Sequence, residues 1–178
     1  MEEVVERIMF TEEQISQRVG ELAEQISRDY KGKTPLMVAI LKGSVMFFAD
    51  LTRKITIPME MDFMAISSYG NAAKSSGEVK MIKDLDKKIE GKDIIIVEDI
   101  IDSGYTMRYL KNMLLARKPA SIKICSLLDK PSRRETEIVI DYKGFEVEDE
   151  FVVGYGLDYA GLYRNFPYIG ILKREIYE

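Results

Sequence analysis

The stretch D-I-I-I-V-E-D-I-I-D-S-G-Y-T-M, Asp93 to Met107, begins its apolar part with four consecutive β-branched residues, Ile94 to Val97. Such a run has no polar face to offer water, so it predicts a central parallel strand covered on both sides. Glu98 and Asp99 are expected to end the strand, a turn through Gly104 follows, and Met107 to Ala116 has the composition of a helix. The stretch holds four acids and no basic residue. Glu98, Asp99 and Asp102 crowd the end of a buried strand, where their repulsion is costly unless something cationic offsets it.

Outward from this segment the same alternation continues. Thr11-Glu12-Glu13-Gln14 has the form of a capping box, and Ile15, Val19, Leu22, Ala23 and Ile26 then recur at helical spacing until Lys31-Gly32. Pro35 to Leu41 reads as a strand closed by Lys42-Gly43-Ser44, with a helix after it through Phe47, Phe48 and Leu51. Met59, Met61, Phe63 and Ala65 alternate with polar neighbours, as in a half-buried strand with those four inward. Residues 67–77 are rich in Ser, Gly, Ala and Asn and read as a long mobile loop, with Glu78 to Ile82 returning as a strand. Ile122 to Leu128, Ile138 to Ile140, Phe151 to Val153 and Ile169 to Leu172 are further strands. Strands alternating with helices predict an α/β fold with a central, mainly parallel sheet flanked by helices. With no repeat and no linker composition, residues 1–178 read as one domain.

Composition narrows the chemistry. The chain carries 46% hydrophobic and 31% charged residues, the balance of a folded globular domain. A net charge of -4 argues against a general nucleic-acid binder. The single cysteine, Cys125, sits in an apolar run and reads as a core residue, which fits a reducing compartment. The N-terminal residues do not resemble a signal peptide, and the apolar runs fall short of the roughly 20 residues of a membrane span, so a cytoplasmic location is expected. Histidine is absent, so acid–base work falls to Asp, Glu, Lys or Tyr, and any metal must be held by oxygen, as Mg2+ is.

The turn Asp102-Ser103-Gly104-Tyr105-Thr106 offers backbone N–H groups and hydroxyls for a phosphate at a helix N-terminus. The plainer reading makes Asp102 or Ser103 a helix cap. The spacings of a P-loop and of a dinucleotide fingerprint are both missing.

V-E-D-I-I-D-S-G-Y-T-M closely resembles the phosphoribosyl-pyrophosphate (PRPP) motif of type I phosphoribosyltransferases, in the form found in the hypoxanthine-guanine branch. L-K-G-S at Leu41 to Ser44, S-S-Y-G at Ser67 to Gly70, L-D-K-P at Leu128 to Pro131 and F-V-V-G-Y-G-L-D-Y at Phe151 to Tyr159 extend the likeness in the family's order. The resemblance implies that family's fold, with a small hood subdomain from the N- and C-terminal segments and a lid formed by residues 67–77. It implies transfer of 5-phosphoribosyl from PRPP to N9 of hypoxanthine or guanine, giving IMP or GMP and pyrophosphate, with Mg2+ as cofactor.

The resemblance also implies roles. Glu98 and Asp99 would bind the ribose hydroxyls and, with Asp158, Mg2+. Asp102, Ser103, Gly104, Tyr105 (through its backbone) and Thr106 would enclose the 5-phosphate, and Asp102 would take the proton from N7 of the base. Lys42, Gly43 and Arg164 would meet the pyrophosphate, the Leu41–Lys42 peptide being one that can be cis in the family; Ser68 and Tyr69 would reach it from the lid. Lys130 would donate to the purine 6-oxo group, Phe151 would stack on the ring, Val152 would read its edge, and Asp158 would lie on the purine side. Without the resemblance, Lys42 is a solvated turn residue, Lys130 a surface lysine, Phe151 and Val152 strand core, and Asp158 and Arg164 an exposed ion pair. The alternatives are transfer to another base such as xanthine, an RNA-binding regulator keeping the PRPP motif, or an assembly subunit without activity. The family implies a homodimer or homotetramer, with no nucleic-acid or membrane partner.

Overall fold

The computed structural model describes residues 2–68 and 79–178. In chain order the elements are β1 (Val5–Phe10), α1 (Glu12–Asp29), β2 (Leu36–Leu41), α2 (Val45–Lys54), β3 (Glu60–Ser68), β4 (Val79–Lys83) and β5 (Asp93–Ile101). They continue with α3 (Tyr105–Leu115), β6 (Ser121–Asp129), β7 (Tyr142–Glu146), β8 (Val152–Val153), β9 (Ile169–Leu172) and the short α4 (Arg174–Tyr177). Ser67 and Ser68, expected to open the loop over 67–77, instead close β3; Tyr69 and the rest of that expectation lie outside the described residues.

Six strands form one sheet in the order β4-β3-β2-β5-β6-β7, parallel except where β4 returns antiparallel along β3. Ile94 to Val97 are 0% exposed, as a central strand with helices on both faces requires. Ile95 and Val97 point toward α1 and α2 and join Met37, Ala39, Phe47 and Leu22. Ile94 and Ile96 point the other way, toward Leu110 and Leu114 of α3. Full burial of such side chains contributes about 1.5–3 kcal/mol each. A second sheet, β1-β9-β8, is antiparallel and joins the two ends of the chain. No described helix is long and apolar enough to cross a membrane.

The capping box is present: Gln14 N–H donates to Thr11 Oγ1 at 3.3 Å, and Thr11 N–H to Gln14 Oε1 at 2.9 Å. Ile15, Val19, Leu22, Ala23 and Ile26 are all buried. Three expectations are corrected. β5 does not stop at Glu98 but pairs with β6 through Ile101, so both acids belong to the strand. β3 is covered on both faces, not one: Met59 and Phe63 pack against the α1–α2 core as expected, but Met64 is 0% exposed and Asp62 buried on the other face, while Met61 is 55% exposed. Asp62 tolerates this because its carboxylate accepts from the N–H groups of Phe63 at 2.7 Å and Asp86 at 2.9 Å. Finally, Ile138 to Ile140 form no strand. Pairing with β6 starts only at Tyr142, after Asp141 has exchanged hydrogen bonds with Ile124, and Ile138 and Ile140 serve as packing beside α3.

Candidate active site

The parallel strands β2, β5 and β6 end on the same edge of the sheet, the edge where open α/β sheets bind ligands. Beyond β2 the Leu41–Lys42 peptide is cis, and the Lys42 side chain is exposed. Gly43 is pressed against Asp99: a Cβ there would fall on the carboxylate, its carboxyl carbon only 2.6 Å away. Gly156, at φ +100°, closes on Gly43 from the other side, and a Cβ on it would strike the Gly43 carbonyl. Three chain segments distant in sequence therefore meet at one point with no room for side chains.

Beyond β5 the turn opens a cavity of about 230 Å³ lined by Glu98, Asp99, Asp102, Ser103, Gly104 and Thr106, among others. Gly104, not Asp102 or Ser103, caps α3: its φ of +88° turns the chain, and no side chain caps the helix. The N–H groups of the first turn are therefore left for an anion at the positive end of the helix dipole. The Tyr105 N–H faces the Ser103 hydroxyl at 3.5 Å, and its ring lies under the Arg108 guanidinium, 5.5 Å from the centroid.

Electrostatics at the cavity floor are unusual. Loss of water contact, then the negative charge of Asp99, push the Glu98 carboxyl well above its ordinary range. Asp99 is raised too, mainly by burial, with hydrogen bonds from Glu98 and the Ile100 N–H and the positive charge of Arg164 acting against it. Two desolvated acids side by side form a site where a cation or hydroxyl donors relieve a standing penalty.

A second cavity, of about 240 Å³, shares Asp99, Ile100 and Asp102 with the first and is completed by Lys130, Phe151, Val152, Leu157 and Asp158. Lys130 is not a surface lysine. It is 8% exposed, its Nζ donates to the Glu150 carbonyl at 2.7 Å, and it lies 4.0 Å from the Asp102 carboxylate and 3.9 Å from that of Asp149. The Phe151 ring is stacked on Tyr177 at 5.0 Å and met edge-on by Tyr159 at 5.6 Å. Val152 is buried in β8.

Of the residues expected at the phosphates, Lys42, Gly43, Tyr105 and Arg164 line neither cavity. The Arg164 guanidinium donates to the Gly156 carbonyl at 2.6 Å and pairs with Asp158 at 2.9 Å. Asp158 also accepts from the Gly161 N–H at 2.7 Å. The ion-pair reading of Asp158 and Arg164 thus describes this structure, and among the described residues no three acids gather as a ready metal shell. Sequence reasoning did not find Arg134, Tyr159 or Tyr177, all of which touch residues of the site. The aromatic pair carries a weak signal, since Tyr159 closes a recognised block, whereas Arg134 lies in an ordinary charged stretch.

The family model for the phosphoribosyl transferase domain matches residues 9–160. The chain is 54% identical over 178 residues to the hypoxanthine-guanine phosphoribosyltransferase of Bacillus subtilis, covering 100% of this chain and 99% of the relative. Its fold is shared with a hypoxanthine phosphoribosyltransferase of Staphylococcus aureus, with a TM-score of 0.95 and 48% identity over 98% of this chain and 95% of that one. The corresponding Trypanosoma cruzi enzyme gives a TM-score of 0.94 at 42% identity, over 98% and 95% of the two chains. With these matches spanning both cavities and both sheets, the chain belongs to the phosphoribosyltransferase family, in its hypoxanthine-guanine branch.

Proposed function

We propose that this chain transfers the 5-phosphoribosyl group of PRPP to N9 of hypoxanthine or guanine, releasing pyrophosphate. The observation that carries this reading is the junction of two cavities along Asp99, Ile100 and Asp102: one ends at the N-terminus of α3, the other in Lys130 and Phe151. A ribose spanning that junction has its 5-phosphate at the helix terminus and C1 toward the base.

Glu98 and Asp99, which only accept when ionised, take the ribose hydroxyls. Ser103 to Thr106 enclose the 5-phosphate. Phe151 stacks on the purine, the Val152 backbone reads its edge, and Lys130 donates to the 6-oxo group. Adenine presents an amino donor at that position, and two facing donors leave a buried group unpaired. The C1–O bond to pyrophosphate breaks, N9 of the base bonds C1 from the opposite face, and Asp102 accepts the proton that leaves N7. Lys42, and Arg164 once released from Asp158, stabilise the departing pyrophosphate.

The donor set fits a hard cation: it is all oxygen, and the Glu98–Asp99 pair gains most from positive charge. Asp158 borders the same cavity as Asp99. These residues, with the substrate's own oxygens, would hold Mg2+, which supplies charge neutralisation of the pyrophosphate.

The test is a Mg2+-containing assay with PRPP and each of hypoxanthine, guanine, xanthine and adenine, following nucleotide and pyrophosphate together. Equimolar nucleotide and pyrophosphate from the first two is expected. Absence of product from all four bases overturns the enzymatic reading.

A further inference from the structure

We propose that Arg134 is a positioning residue that holds the phosphate-binding turn in its working shape and ties it to the purine lysine; this rests on the function proposed above. A turn that aims its N–H groups inward at an anion must aim its carbonyls outward, and those carbonyls need donors. Here they find them in a single segment, 130–136. Ile101 O accepts from the Lys130 N–H at 3.0 Å and from Arg134 Nη2 at 3.5 Å. Ser103 O accepts from the N–H groups of Glu135 at 3.0 Å and Thr136 at 3.2 Å. Between them, Asp102 O accepts from Arg134 Nε at 2.9 Å. Among the described residues, the carbonyl next to the proposed general base is thus held by a side chain, whereas its neighbours are also served by main chain.

Arg134 is itself fixed. Its Nη2 pairs with the carboxylate of Asp129, a buried residue at the end of β6, and the other oxygen of Asp129 takes Lys143 Nζ at 2.8 Å. The Arg134 stem packs over Gly104 so closely that a Cβ there would lie 3.1 Å from Arg134 Cδ. A planar fork is what allows one side chain to serve a carboxylate and two carbonyls at once; an ammonium cannot reproduce that set. Lys130, which follows Asp129 directly, belongs to the same brace. The side chain facing the base and the turn facing the phosphate are therefore positioned by one residue that lines neither cavity.

The test compares Arg134→Lys and Arg134→Gln with the unaltered protein in steady-state kinetics, varying PRPP and hypoxanthine separately, beside thermal melting. Arg134→Lys keeps the cation that buried Asp129 needs, so it secures a folded variant even where Arg134→Gln does not fold. Loss of a charge-assisted hydrogen bond predicts a rise of about tenfold or more in the KM for PRPP, with a fall in kcat and a smaller change in the KM for hypoxanthine. A merely structural role would lower the active fraction, and so kcat, and leave both KM values alone. A PRPP KM within about twofold of the unaltered protein's in Arg134→Lys overturns the inference, that bond being worth far more. If the unaltered protein forms no nucleotide, the functional reading has failed instead.

Discussion

Replacing Lys130 by Met tests the choice of base separately from the phosphoribosyl donor. The side chain is almost fully buried, donates to the Glu150 carbonyl at 2.7 Å and stands 4.0 Å from Asp102. Methionine has similar length and removes only the cation and its donors. A hydrogen bond from a charged donor to the 6-oxo group contributes about 1.5–3 kcal/mol, so kcat/KM for hypoxanthine should fall by about 10- to 150-fold. Adenine has no 6-oxo acceptor to lose, so its kcat/KM should stay level or rise, and the preference for hypoxanthine over adenine should shrink by about the same factor. Lys130 borders the base cavity and not the phosphate cavity, so the KM for PRPP should change little. The assay is steady-state turnover with each base at saturating PRPP, then with PRPP varied at saturating hypoxanthine. Rates for hypoxanthine and adenine falling together, or a hypoxanthine kcat/KM within about threefold of the unaltered protein's, would refute the assigned contact, because that bond is expected to count for at least tenfold.

Two further predictions follow from the floor and the wall of the site. Glu98 holds its proton well above the ordinary value of 4.5, so as pH rises from that value through the raised one the folded state is penalised, and the penalty is complete above it. Glu98→Gln should therefore raise the Tm of the unliganded protein at about pH 8 and leave it nearly unchanged at about pH 4, while weakening PRPP; an equal gain at both pH values in melting curves contradicts this. Tyr177→Leu removes the ring stacked on Phe151 at 5.0 Å, an aromatic pair of about 0.5–1.5 kcal/mol, and should raise the KM for hypoxanthine about 2- to 12-fold. Tyr177→Phe should restore it, and an unchanged hypoxanthine KM in Tyr177→Leu argues against any support of the base by α4.

What was legible in the sequence was whatever rests on local pattern. Ile94 to Val97 disclosed a central strand because four β-branched residues in a row fit few other places, and Thr11 to Gln14 disclosed a helix start because the cap is made by neighbours three apart. The second buried face of β3 was missed for the opposite reason. Its inward Asp62 is paid for by partners at Asp86 and Lys83, more than twenty residues away along the chain, and no alternation of polarity records such partners. Ile138 and Ile140 have strand composition but pair with no strand among the described residues, and pairing is a property of the sheet, not of the segment.

The same division runs through the site. Residues proposed to touch substrate stand in compact blocks, because a phosphate or a purine must be met by several groups within a few ångströms, and adjacent residues supply them most directly. The groups that hold those blocks in shape are under no such demand. A carbonyl accepts a hydrogen bond from any donor that reaches it, so Arg134 serves Asp102 from 32 positions away in a stretch indistinguishable from solvent-exposed turn. Tyr177 supports Phe151 from the last turn of the chain. Chemistry that requires convergence on a ligand leaves a motif, whereas bracing requires only reach. Variants that disturb PRPP binding without altering any residue of the two cavities should therefore concentrate at Asp129 and in 131–136, beside Lys130, where one short segment supplies donors to three successive carbonyls of the phosphate turn.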